Sequence, residues 1–303
     1  MTDARVFWDR EVIEQEFKGW LDDLAIRHYV NALIGGDTML WPINWFERWL
    51  KGRTFERALI VGCGGGGFER GLVERGLCRS VDAFDASITS LHLAQTAAVA
   101  AGLSDRIRYF AADFNEPVLR GRYDIVFFQQ SAHHVAKLEK LYRAVLHALK
   151  DDGLVYMDEY IGPSRTEWRD ELIAPQRALY ASLPVHIRRF NRLEYPVMAD
   201  DPSEAIRSSE IETQLRVGFK IEARRPYGGT LLSLIVPCIR DEFVEGDLVT
   251  RLIDEEQRLI AAGAPSYYTL IVASPKQGMA RVKARIAYWL VPKLKRIKRE
   301  LMR

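Results

Sequence analysis

An α/β fold with a mostly parallel, seven-stranded sheet between two helical layers is what this sequence predicts. Three observations predict it. Short, continuously apolar runs recur between residues 57 and 160, as strands buried on both faces require. Helical stretches separate most of them, and strands alternating with helices form right-handed parallel crossover units. The first run, Ala58–Val61, ends directly in glycines, which marks a tight strand-to-helix turn.

Residues 1–55 read as a helical cap, with Phe17, Trp20, Leu21 and Leu24 at helical spacing. An aromatic cluster of Trp41, Trp45, Phe46 and Trp49 follows, as a core face or, for Trp41, a pocket wall. Residues 56–275 form the main domain. Its strands fall at Ala58–Val61, Ser80–Phe84, Ile107–Ala111, Tyr123–Phe128 and Gly153–Met157. Helices are expected around Phe68–Arg75, Ser87–Ala101 and Leu138–Lys150. After Tyr160 the alternation stops, and a stretch rich in Pro, Arg and Trp reads as an insertion over the active site, about 164–202. A helix near Ser203–Leu215 and strands at Phe219–Ala223 and Tyr267–Ala273 close the domain, with helices near Leu231–Ile239 and Gly246–Ala262. Residues 276–303 form a basic amphipathic helix that Pro292 must interrupt or kink.

Composition excludes several classes. With 303 residues and 48% hydrophobic content, disorder is not expected. The balance of 43 basic and 41 acidic residues gives no global attraction to nucleic acid, so none is expected as a partner. Cys63, Cys78 and Cys238 are an odd set without paired spacing, against a disulfide framework or structural zinc. A reducing cytoplasm fits. No signal peptide or membrane-spanning run is seen, so a soluble or peripherally attached protein is expected.

The strongest chemical signal is Gly62-Cys63-Gly64-Gly65-Gly66-Gly67 after the first strand, where glycine lets backbone approach a ligand that a Cβ would repel. Asp85 ends the second strand about twenty residues on, where a carboxylate can accept from both ribose hydroxyls. That spacing serves an NAD-dependent oxidoreductase equally well. The third strand separates the readings: it ends in Asp113-Phe114, an acid for an adenine amino group and an apolar partner for its ring.

Together with Tyr123-Asp124-Ile125-Val126 and His133-His134-Val135, these motifs resemble those of the class I S-adenosylmethionine-dependent methyltransferases, over about residues 57–162. The resemblance implies a Rossmann-like three-layer sandwich, S-adenosyl-L-methionine as cofactor and S-adenosyl-L-homocysteine as product. It implies that Gly62, Cys63, Gly64 and Gly66 lie against the methionine part, that Asp85 with Ala86 holds the ribose, and that Asp113 and Phe114 read the adenine. The chain departs from the pattern at Ile60, where many members carry an acid; Gln129 or Gln130 is the substitute for recognising the amino group. A degenerate, non-catalytic binding module is the alternative that this departure suggests.

Methyl transfer is an in-line displacement at an activated sulfonium, so the enzyme positions the acceptor and, for a hydroxyl, removes its proton. His133 and His134 follow the fourth strand, and His133 is the favoured base, with Glu159 to orient a histidine. Acceptor contacts are expected from Tyr160, Arg165, Trp168, Tyr227 and Trp41. A small-molecule or glycan hydroxyl suits a histidine base. The acids and histidines form no evident metal-ligand set, so no metal is expected. The last helix, with about nine basic residues against the single acid Glu300, is either an interfacial anchor on the inner face of a membrane or a helix docked on its own domain.

Overall fold

Strand β1 (Phe55–Val61) lies in the interior of the sheet because its last four residues are apolar without interruption and so can be covered on both faces. The computed structural model describes residues 19–119, 121–198, 201–244 and 246–301. The part of the helical cap before residue 19, Phe17 included, lies outside them.

In the cap, helix α1 (Leu24–Gly35) is started by Asp23, whose carboxylate accepts from the Ile26 N–H at 3.0 Å, and ended by Gly36 at φ 75°. Helix α2 (Pro42–Leu50) has proline at its first position. The main domain continues β1, α3 (Gly67–Glu74), β2 (Cys78–Asp85), α4 (Ile88–Ala100), β3 (Ile107–Ala111), β4 (Tyr123–Gln129), α5 (Leu138–Ala148) and β5 (Leu149–Tyr160). Then come α6 (Asp170–Ser182), α7 (Ile211–Gly218), β6 (Phe219–Pro226), α8 (Leu232–Ile235), α9 (Gly246–Ala261), β7 (Tyr268–Pro275) and α10 (Gly278–Leu301).

The seven strands run in the order β3-β2-β1-β4-β5-β7-β6, with β7 alone antiparallel to its neighbours. Strand order reverses beside β1, so a crevice opens at the carboxyl ends of β1 and β4, where α/β sheets bind ligands. Successive side chains of β1 serve opposite layers. Ala58 and Ile60 join the core that holds Phe46, Phe127 and Tyr156, whereas Leu59 and Val61 join the one that holds Phe84, Phe128 and Tyr142.

Several elements differ from expectation, among them the helix expected near Ser203–Leu215, which starts only at Ile211 and leaves Ser203 and Glu204 in a loop. Helix α5 stops at Ala148 rather than Lys150, because Leu149 pairs with Tyr123 and the chain is already strand. Within the insertion, α6 forms despite Pro175, burying Ile173, Gln176 and Tyr180 on one side. Gln176 Nε2 donates to the Thr230 carbonyl at 3.0 Å, and the Tyr180 hydroxyl donates to the Cys238 carbonyl at 2.9 Å. Helix α6 therefore packs against residues 230–239, while the end of the insertion, at Asp201, returns to the crevice. Finally, α10 runs through Pro292 without interruption.

Candidate functional site

The crevice at the carboxyl ends of β1 and β4 contains a cavity of about 440 Å³, and Gly62, Cys63, Gly64, Asp85, Ala86, Asp113, Phe114 and Gln129 all line it. Backbone geometry explains the glycines. Gly62 has φ 76°, and a Cβ there would sit 2.5 Å from Ser131 Cβ. Gly64 at φ 49° donates its N–H to Asp85 Oδ2 at 2.9 Å, and Ser87 N–H donates to Asp85 Oδ1 at the same distance. Asp85 is thus aimed by the two loops it joins, which preorganises its remaining acceptor positions. Gly66 does not line the cavity. It starts α3 at φ 76°, and a Cβ would lie 2.7 Å from Ala94 Cβ and 2.8 Å from Tyr109 Oη, so its part is close packing against α4 and β3.

At the β3 tip, Asp113 Oδ1 accepts from the Asn115 N–H at 2.7 Å, and the Phe114 ring packs edge-on to Phe84, 5.7 Å between centres. Ile60 forms an apolar patch of the wall. Both Gln129 and Gln130 line the cavity, and both donate Nε2 to buried Asp158, at 3.2 and 3.3 Å. Their amide oxygens have no donor among the described residues. Sequence reasoning missed Asp158, whose carboxyl burial pushes its pKa up although hydrogen bonds from Tyr227 and Gln129 oppose the shift.

The histidines form the other end of the cavity, and the structure turns His134 to it, not His133. His133 is held back by Glu159, fully buried, whose Oε2 lies 3.0 Å from His133 Nδ1. Glu159 Oε1 accepts from the N–H groups of Ser131 and Ala132, so one carboxylate shapes the whole turn. His134 Nδ1 lies 3.1 Å from Ser203 Oγ, and Ser203 Oγ donates to Asp201 Oδ1 at 2.7 Å. With the hydroxyl proton committed to Asp201, His134 Nδ1 is the donor to Ser203 and its Nε2 keeps the lone pair.

Burial lowers the His133 pKa, but Glu159, Glu204 and Asp201 together outweigh it and raise the ring to about 9. Burial and the neighbouring His133 charge hold His134 well below the ordinary histidine value. The pair, 4.1 Å between ring centres, is therefore one imidazolium and one neutral imidazole at pH 7. Backbone strain concentrates here: Gln130 and Ala205 both take positive φ, 52° and 48°.

Glu204 completes the cluster, its Oε2 lying 3.7 Å from Nε2 of each histidine. One donor atom from each of the three lies within 4.8 Å of the others, so the expectation of no ligand set is corrected. Asp201 comes from the end of the insertion, and Ser203 and Glu204 from the loop just after it, tied down where Ile206 N–H donates to the His133 carbonyl at 3.1 Å. Only the acidic character of that stretch, Asp200 to Glu204, signalled them in the sequence.

The expected acceptor contacts do not line the cavity. Tyr160 is packed in the core, its ring edge-on to His133, with its hydroxyl donating to the Pro163 carbonyl. Arg165 spends its guanidinium on the Asp201 and Met198 carbonyls, and Trp168 packs edge-on against Tyr267. Tyr227 is buried behind the wall, donating its hydroxyl to Asp158 and accepting from Gln130. Trp41 stands half exposed at the start of α2 under the Arg27 guanidinium. Tyr160, Arg165 and Tyr227 thus spend their polar groups on neighbours in their own chain, whereas Trp168 Nε1 is buried without a hydrogen-bond partner.

This sheet order, the glycine turn beneath two strand-tip carboxylates and the cavity between them are those of the class I, Rossmann-like methyltransferase fold, a class whose cofactor is S-adenosyl-L-methionine. Residues 59–157 match the methyltransferase-domain family. Over 154 residues the chain is 26% identical to a ubiquinone biosynthesis O-methyltransferase of Pseudomonas aeruginosa, covering 51% of this chain and 57% of that protein. The corresponding protein of Pseudomonas paraeruginosa is 28% identical over 156 residues, with the same coverage. The chain thus spans little more than half the length of these relatives. Among solved structures, the O-methyltransferase from a trans-AT PKS multienzyme of Brevibacillus brevis, in complex with S-adenosyl-L-homocysteine, has the same fold: TM-score 0.50 at 13% identity, over 94% of this chain and 83% of that one.

Proposed function

We propose that this protein transfers the methyl group of S-adenosyl-L-methionine to a hydroxyl of a small-molecule or glycan acceptor, with His134 as the base. One observation carries the reading: a histidine with its Nδ1 committed to the Ser203–Asp201 pair stands in the wall of the same cavity as the glycine turn, Asp85 and Asp113. Asp85 would accept from the ribose hydroxyls, Asp113 from the adenine amino group, and the amide oxygens of Gln129 and Gln130 from the methionine ammonium. In the chemical step the acceptor O–H passes its proton to His134 Nε2 while the oxygen attacks the methyl carbon. The carbon–sulfur bond breaks and its electron pair stays on sulfur, giving a methyl ether and S-adenosyl-L-homocysteine. His133 and Glu159 are positioning residues that hold the turn bearing His134. The setting we propose is the reducing cytoplasm, in keeping with three free cysteines and with the absence, among the described residues, of a helix long and apolar enough to cross a membrane.

The test is transfer of labelled methyl to a panel of hydroxylated acceptors, followed by His134→Asn. Turnover should fall about 10²- to 10⁴-fold with S-adenosyl-L-homocysteine affinity unchanged. Equal turnover in the variant removes His134 from the chemistry, and nicotinamide binding without a response to the sulfonium would favour an oxidoreductase. A second reading is favoured by the convergence of His133, His134 and Glu204: a divalent cation held there would polarise the acceptor oxygen instead. Turnover lost on dialysis against EDTA and restored by zinc or manganese would select it.

A further inference from the structure

Helix α10 turns its apolar residues away from the protein. Its docked side is Arg281, Ala284 and Tyr288, at spacings of three and four. Arg281 donates to the Leu146 and Leu149 carbonyls at 2.8 and 3.1 Å, and the Tyr288 hydroxyl accepts from Gly218 N–H at 2.9 Å. On the opposite side Met279, Val282, Ile286, Trp289, Leu290 and Ile297 fall within an arc of about 100°. They are between 39% and 69% exposed, with Ile286 and Trp289 at the edge of a groove beside α5.

Cations border it. Lys283, Arg285 and Arg296 fall beside it by helical spacing, and from Lys283 to the end of the sequence there are eight basic residues and one acid, Glu300. Lys293 Nζ lies 3.5 Å over the Trp289 ring. Between α10 and α5 runs an open groove of about 580 Å³, lined by Lys140, Arg143, His147, Arg285 and Trp289 among others, and no carboxylate is in that lining. Lys140 is already paired with Glu116, but Arg285 Nε is buried without a hydrogen-bond partner. An exposed apolar stripe edged by cations, next to a cationic groove with an unsatisfied guanidinium nitrogen, is complementary to a phosphate headgroup above acyl chains. A second copy of this chain meets the opposite condition, since pairing two such faces would bring their cations together.

We propose that this face docks on an anionic lipid bilayer, the stripe entering the headgroup–acyl boundary and the groove taking a lipid phosphate between Arg143 and Arg285. The full chain should co-sediment with vesicles of phosphatidylcholine mixed with phosphatidylglycerol, not with phosphatidylcholine alone, and salt should release it. Ile286→Glu should lower vesicle affinity at least tenfold, and Arg143→Gln with Arg285→Gln about twentyfold, since each surface cation is worth about a factor of five. Brominated acyl chains should quench tryptophan emission in the parent and not in Trp289→Phe. These positions lie on the outer side of the helix and its groove, and circular dichroism checks that the variants fold. Equal partition to both vesicle types, no partition at all, or full affinity in Ile286→Glu overturns the proposal. So does a dimer in light scattering that Ile286→Glu dissociates without any vesicle binding.

Discussion

Asp85 shows how much of the site rests on one side chain. Its two oxygens already accept N–H groups from Gly64 and Ser87, so the carboxylate is fixed before any ligand arrives and pays little ordering entropy on binding. Asp85→Ala should weaken binding of S-adenosyl-L-homocysteine by about 1–3 kcal/mol, a factor of roughly five to 150 by calorimetry, because charge-assisted hydrogen bonds are lost. Unchanged affinity contradicts the ribose role. This residue was legible in the sequence because a strand tip and the loop before it are close in the chain, and local order suffices to place them. The same holds for Gly62, Asp113 and Gln129. His134 against His133 was not legible, since the two neighbouring rings converge on Glu204 and only Glu159, from another strand, decides which one is held back.

Among the elements, the junction of β1 and α3 is the most constrained. Gly66 leaves the turn with φ 76°, and its missing Cβ is what lets Ala94 of α4 and the Tyr109 hydroxyl come so near. Gly66→Ala should cost about 2–4 kcal/mol, from left-handed backbone strain plus overpacking, read as a lowered urea midpoint. A midpoint equal to the parent's would mean that α3 shifts without penalty. The strands were readable from their apolar runs, which sheet burial makes nearly independent of context. Helix α6 was not readable, because Pro175 and the polar residues around it resemble a loop until Gln176 and Tyr180 find Thr230 and Cys238. Likewise, nothing local says that Arg165 will tie down the loop that carries Asp201.

At the level of the whole molecule, stability should depend on one carboxyl beneath the glycine turn. Glu69 is completely buried on α3 beside Tyr109 and Cys63, and burial raises its pKa from 4.5 to about 7. The folded protein therefore binds this proton more tightly than the unfolded chain does. Its contribution is full below about pH 4.5 and is lost as pH rises through about 7, a change of about 3 kcal/mol. Urea unfolding at pH 5 and pH 8 should show a smaller loss in Glu69→Gln than in the parent, the remainder coming from groups such as His133 and Asp158 whose pKa values are also raised by the fold; equal losses in the two proteins would place the charge elsewhere.

The hydrogen bond from Ile206 to the His133 carbonyl has a wider consequence. The glycine turn and the strand-tip carboxylates of the cavity lie before residue 131, whereas the groups facing the histidines arrive from residues 201–204 and are moored by this link together with Arg165, which bonds the Asp201 and Ala205 backbone. The two halves of the cavity wall are thus separable in the chain: the stretch between Arg165 and Asp201 could vary in length or sequence while both moorings, and the wall they hold, stay in place.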